Sequence, residues 1–92
     1  MPFQPRPTRR FKRGYRGKSA EHMRLVDNTL ELLLRDPRHP GLNTHRIQGR
    51  EGVWECYTNR ALRITFEYRD ENGERVIVLR NTCNHDDVLR KP

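Results

Sequence analysis

The sequence predicts a single α+β domain, with one or two N-terminal helices packed on a small antiparallel sheet. Three observations point there. Apolar residues recur at helical spacing over residues 19–35, strand-like segments follow residue 53, and an Asn72-Gly73 pair joins two of those segments. A helix followed by hairpin-connected strands is the order of an α+β domain. With 92 residues the chain has room for one such domain. Hydrophobic residues make up 33% of it and charged residues 34%. The apolar residues are clustered rather than scattered, which separates the chain from disordered sequences of similar composition.

In chain order, Pro2, Pro5 and Pro7 keep residues 1–9 out of a helix and predict an extended arm or an edge strand. Phe11 and Tyr15 are four apart, the spacing of a short helical turn that pins both rings to a core, although Gly14 and Gly17 weaken it. The clearest helix spans 19–35. Ser19 is its N-cap, Glu21 sits in the first turn where an anion is favoured, and Met23, Val26, Leu30, Leu33 and Leu34 form the buried stripe. Asp36-Pro37 ends it, and residues 36–43 form a loop. A first strand is expected over 53–58. In the second, Leu62, Ile64, Phe66 and Tyr68 alternate with Ala61, Arg63, Thr65 and Glu67, which turns Arg63 away from the main core. Asn72-Gly73 makes the hairpin. The third strand, 75–80, is apolar on both faces and belongs inside the sheet.

The net charge of +7 is unevenly distributed. Arg6, Arg9, Arg10, Lys12, Arg13, Arg16 and Lys18 precede every acidic residue, and the 12 basic residues after them match the 12 acidic ones. Residues 1–18 are therefore set apart as a basic arm, and 19–92 as the domain proper. A basic arm favours a polyanion such as nucleic acid, or an acidic protein partner. Cys56 and Cys83 lack the close spacing of a zinc site and are expected to be buried or half-buried thiols of a reducing compartment. No apolar run is long enough to span a membrane and no signal peptide pattern is visible, so the expected location is the cytoplasm.

The meander gathers residues suited to phosphodiester chemistry. Arg63 lies on the polar face of the second strand, Arg60 in the turn before it, His85 after the last strand, and His45-Arg46 before the first. Histidine exchanges a proton near neutral pH, and arginine neutralises charge building on phosphorus. RNA carries its own nucleophile in the 2′-hydroxyl, so neither a metal nor another cofactor is expected. Each residue also has a structural alternative. Arg63 could pair across strands with Glu55 or Glu67, and Trp54 could be a packing edge or a base-stacking platform.

The order Arg35-Asp36-Pro37, Pro40-Gly41-Leu42, His45-Arg46-Ile47-Gln48-Gly49, Trp54-Glu55, Leu62-Arg63-Ile64-Thr65-Phe66 and His85-Asp86-Asp87-Val88-Leu89 resembles the RelE/ParE toxin superfamily over roughly residues 10–90, nearest its YafQ-like branch. The resemblance implies helices on a small twisted sheet. It also implies a toxin of a type II toxin–antitoxin pair, with a cognate antitoxin, the ribosome and mRNA as partners and no small-molecule ligand. It makes His85, Arg63 and His45 the catalytic residues of a metal-independent mRNA endoribonuclease. In that scheme Arg63 stabilises the phosphorane, His85 protonates the leaving oxygen, and His45 is the base or a substrate contact. Arg60, Arg46, Arg80, Trp54, Arg13 and Arg10 are the expected substrate-binding residues. The chain departs from the pattern at Leu89, where an aromatic is usual, at Tyr57, Ala61 and Leu62 in the middle hairpin, and at Trp54 and Cys56, where RelE carries lysines. Two other activities therefore stay open: DNA gyrase inhibition in the manner of ParE, and a decayed toxin that only binds its antitoxin.

Overall fold

Two capped helices set the N-terminal half. In the computed structural model, which describes residues 2–84 with Val88, Arg90 and Pro92, strand β1 (Gln4–Pro7) leads directly into helix α1 (Arg9–Arg16). Thr8 caps α1, its hydroxyl accepting from the Phe11 N–H at 3.2 Å and donating to the Leu79 carbonyl at 2.8 Å. One residue thus starts the helix and fastens it to the sheet. Helix α2 (Ala20–Arg35) begins at Ser19, whose hydroxyl accepts from the His22 N–H. The Tyr15 hydroxyl donates to Asp27 at 2.9 Å and ties the helices together. Among the described residues, no helix is long and apolar enough to cross a membrane.

Among the described residues the sheet has five strands in the order β1-β5-β4-β3-β2, with β2 at His45–Arg46, β3 at Trp54–Tyr57, β4 at Leu62–Glu71 and β5 at Glu74–Asn84. Strands β3 to β5 form the expected antiparallel meander. Asn72 and Gly73 both take positive φ, 53° and 82°, as a tight Asn-Gly hairpin requires. The sheet as a whole is mixed, because β1 pairs parallel with β5 (Gln4 opposite Val76 to Pro7 opposite Leu79). The prolines fit this edge position, where a missing donor faces away from the ladder. Strand β5 also runs four residues beyond the expected Arg80. A bulge there sets Thr65 opposite Asn81 but Phe66 opposite Leu79, leaving Arg80 as the extra residue. His45–Arg46, expected only to precede the sheet, form its short outer strand.

Phe11, Val26, Leu33, Leu42, Cys56, Ile64, Phe66, Ile77 and Leu79 make the core between the helices and one face of the sheet. Gly14 lets α1 approach closely, since a Cβ there would lie 2.8 Å from the Thr82 carbonyl oxygen. A smaller cluster, Ile47, Val53 and Val88 with Cys83 against it, is built around residues outside that core. Burial pushes the Cys56 thiol up to about 12, while Cys83 is half-buried.

Candidate functional site

Strand alternation decides what reaches the face away from the helices. Cys56, Ile64 and Phe66 turn to the core, so Glu55 and Tyr57 on β3 and Arg63, Thr65 and Glu67 on β4 turn the other way. Register then assembles the group: His45 lies opposite Glu55, Tyr57 opposite Arg63, and Arg63 opposite Cys83.

His45 and Glu55 are in intimate contact, with Nε2 2.6 Å from Oε1. The other imidazole nitrogen, Nδ1, is 2.8 Å from the Asn43 carbonyl oxygen. A carbonyl only accepts, so Nδ1 carries a hydrogen. Both imidazole nitrogens thus lie against oxygens, Nε2 against the Glu55 carboxylate and Nδ1 against the Asn43 carbonyl, which fixes the orientation of the ring. Asn43, which supplies the carbonyl, adopts the left-handed conformation (φ 51°) that ends the 3-10 turn over Pro40–Leu42.

Arg63 is 4% exposed and Glu55 5%. The Arg63 Nη1 donates to the carbonyls of Asn59 at 2.6 Å and Arg60 at 2.8 Å, clamping the turn between β3 and β4. Its guanidinium carbon lies 3.6 Å from the Tyr57 ring centroid. Tyr57 in turn meets the His45 ring edge-on, with centroids 5.8 Å apart. The Arg63 Nε and Glu55 Oε2 face each other at 3.8 Å, an ion pair too long for a hydrogen bond, and among the described residues neither atom has a hydrogen-bond partner. His45 is the most open member, its side chain 43% exposed. The cluster is thus an accessible imidazole backed by a buried carboxylate, a buried guanidinium and an aromatic ring.

The other expected site residues are dispersed. Arg60 is exposed in the turn that Arg63 clamps. Arg80 pairs with Glu67 and donates to the Pro92 carbonyl. Thr65 also donates to that carbonyl, so the last residue lies on the same face as the cluster. Trp54 and Arg46 are on the helix side of the sheet, where the Arg46 guanidinium sits 5.2 Å from the Trp54 ring centroid and Trp54 packs against the core. Arg10 and Arg13 are exposed on α1, and Arg13 shares a shallow groove with Arg9, Lys12 and Arg16. His85 lies outside the described residues. Sequence reasoning passed over Glu55 and Tyr57 as members of the site. Their signal was present in the shared parity along residues 54–57, but only the register with β2 and β4 brings them to His45 and Arg63.

No protein-family model matches this sequence, and no curated protein sequence matches it. Solved structures do. A chain of the E. coli DinJ–YafQ toxin–antitoxin complex superposes with a TM-score of 0.75 at 12% identity, covering 96% of this chain and 98% of that one. The YoeB/ParE toxin from Agrobacterium tumefaciens gives 0.75 at 13% identity, covering 90% and 99%. A chain of the archaeal RelE–RelB complex from Pyrococcus horikoshii OT3 gives 0.69 at 10%, covering 91% and 96%. At such identities the likeness is one of fold, and the fold is that of RelE/ParE toxins, as the sequence motifs predict.

Proposed function

We propose that the chain is the toxin of a toxin–antitoxin pair and cleaves mRNA on the ribosome through its own 2′-hydroxyl, at the His45–Glu55 face. The His45–Glu55 pair, Nε2 2.6 Å from Oε1 on an open sheet face beside the buried Arg63, carries this proposal. The fold likeness to toxin chains from complexes with their antitoxins supports the biological setting and an antitoxin partner.

In the proposed reaction the 2′-oxygen attacks the adjacent phosphorus and loses its proton to a base. The bond from phosphorus to the 5′-oxygen breaks, and that oxygen leaves with a proton. The products are a 2′,3′-cyclic phosphate and a 5′-hydroxyl. His45, its ring oriented by the Glu55 carboxylate and the Asn43 carbonyl, is the proton-transfer residue of this face, and His85 supplies the second transfer. Arg63 acts as a positioning residue: buried and committed to carbonyls, it fixes the turn and faces the Glu55 carboxylate without touching the phosphate. The exposed Arg60 beside it takes the phosphate contact. The ribosome orients the RNA, which lets a sparse site work, and α1 adds a tract of phosphate contacts through Arg10 and Arg13.

The test is induced expression of wild type, His45→Ala and Glu55→Gln in a host without the antitoxin, with growth and mRNA 5′ ends read together. New ends inside codons that disappear in both variants are expected. Growth arrest with intact mRNA and induced DNA damage signalling would replace this proposal with gyrase inhibition, and no arrest at all would leave only antitoxin binding.

A further inference from the structure

The helix side of the sheet carries a second feature that the cleavage site does not use. Three rings run side by side there: Phe3 and Tyr68 have centroids 5.7 Å apart, and Tyr68 and Trp54 5.3 Å. All three are only partly buried. Arginines are interleaved with them. The Arg75 guanidinium lies 4.1 Å from the Phe3 centroid and that of Arg46 5.2 Å from the Trp54 centroid. Burial raises the pKa of the Tyr68 hydroxyl, and the positive charges of Arg38 and Arg75 oppose that rise, so both reach this ring electrostatically.

The row floors a cleft. A cavity of about 710 Å³ opens over Phe3 and Tyr68, lined by four arginines against two carboxylates, Asp36 and Asp70. A second, of about 290 Å³, continues over Tyr68 to Trp54 and shares Arg38 with the first. Cavities of about 300–1,000 Å³ suit ligands the size of one or a few nucleotides. Partly exposed rings with cations between them answer the two chemical features of a single strand. Each base offers a π-face to a ring or a guanidinium plane, and each phosphate offers an anion to an arginine.

We propose that this cleft binds single-stranded RNA, with bases stacked along Phe3, Tyr68 and Trp54 and phosphates on Arg38 and Arg75. It lies across the sheet from His45 and Glu55, so it serves as an anchoring site away from the scissile bond and stands whether or not the other face cleaves RNA. The net charge of the lining sets it apart from a dry protein-docking groove. The partly exposed rings set it apart from a site for phosphate alone.

Trp54 is the only tryptophan and reports directly on the cleft. The full chain is titrated with a short 2′-O-methylated single-stranded RNA, which offers no 2′-hydroxyl for attack, while Trp54 fluorescence and binding anisotropy are followed. Quenching is expected on binding. Arg38→Glu/Arg75→Glu, both at exposed positions, should raise Kd by about tenfold or more. Arg24→Glu/Arg50→Glu, also exposed and equal in charge change, should raise it by less than about threefold. The same sequence as a duplex, with its bases hidden, should leave Trp54 unquenched. Equal weakening by both charge reversals, or equal quenching by the duplex, would overturn the proposal. Quenching by a poly-glutamate peptide but not by RNA would overturn it in favour of an acidic protein segment.

Discussion

Removing the Glu55 carboxylate should destabilise the fold far more than its small size suggests. Glu55 and Arg63 are 5% and 4% exposed, so Arg63 has already lost its hydration and Glu55 is the carboxylate facing its Nε. At 3.8 Å the Coulomb attraction is about 4 kcal/mol for an effective dielectric of about 20. Deleting one partner of a buried pair costs about 3–5 kcal/mol, because the other charge stays buried without compensation. The His45 contact adds less, since that side chain is 43% exposed. Glu55→Ala should therefore lose about 3–5 kcal/mol of a total stability of about 5–14 kcal/mol for a chain of this length. Arg63→Met should lose a comparable amount, because it also strips the donor from the Asn59 and Arg60 carbonyls. The double variant Glu55→Ala/Arg63→Met removes both charges at once and should recover about 2 kcal/mol relative to the sum of the single losses. Urea unfolding of the four proteins, with unchanged m-values, measures this cycle. A loss below about 1 kcal/mol for Glu55→Ala, or additive single losses, would show that the two charges are not coupled and would remove Arg63's assigned role.

Gly14→Ala should cost about 1–3 kcal/mol by forcing α1 away from the Thr82 carbonyl, read as a lower urea midpoint. Gly73→Ala places a side chain at φ 82° in the hairpin and should cost about 1–3 kcal/mol in the same measurement. The Cys56 thiol, ordinarily near 9.0 and held up at about 12 by burial, ionises more readily in the unfolded chain. Its contribution to stability is complete below pH 9 and is lost as pH rises from there through 12. Cys56→Ala should flatten that part of the stability–pH curve, and in the native wild type a thiol reagent at pH 8 should label Cys83 well before Cys56.

The elements legible in the sequence are those fixed by local periodicity. Ser19 and the stripe through Val26 and Leu33 define α2, and Leu62 to Tyr68 alternate because one face meets the core. Asn72-Gly73 dictates its own turn. What escaped depends on pairing between distant residues. Residues 1–9 were legible as an extended arm or an edge strand, but the choice between the two and the parallel register depend on residues some seventy positions later and have no local signature. The end of β5 was hidden because Asn81, Thr82, Cys83 and Asn84 have the composition of a loop. They belong to the sheet through pairing with Leu62 to Thr65 after the bulge at Arg80. The cluster followed the same logic. Arg63 was assigned to the polar face from alternation, yet its depth, its hold on the turn carbonyls and the presence of Glu55 and Tyr57 beside it come from cross-strand register. Trp54 and Arg46 were expected among the substrate-binding residues, with a packing edge as the alternative for Trp54, and strand alternation sends both to the side opposite His45.

The central claim is cleavage through the RNA's own 2′-hydroxyl, with proton transfer at His45 and Glu55. The direct measurement uses the purified chain on ribosomes programmed with an mRNA, first all-ribose and then carrying a single 2′-deoxynucleotide immediately 5′ of the mapped scissile phosphate. A 2′,3′-cyclic phosphate is expected on the all-ribose message, with no cut at the deoxy position. His45→Ala and Glu55→Gln should slow the all-ribose reaction by about a hundredfold or more. Cleavage that persists at the deoxy position, or that survives both substitutions at the wild-type rate, would contradict the claim.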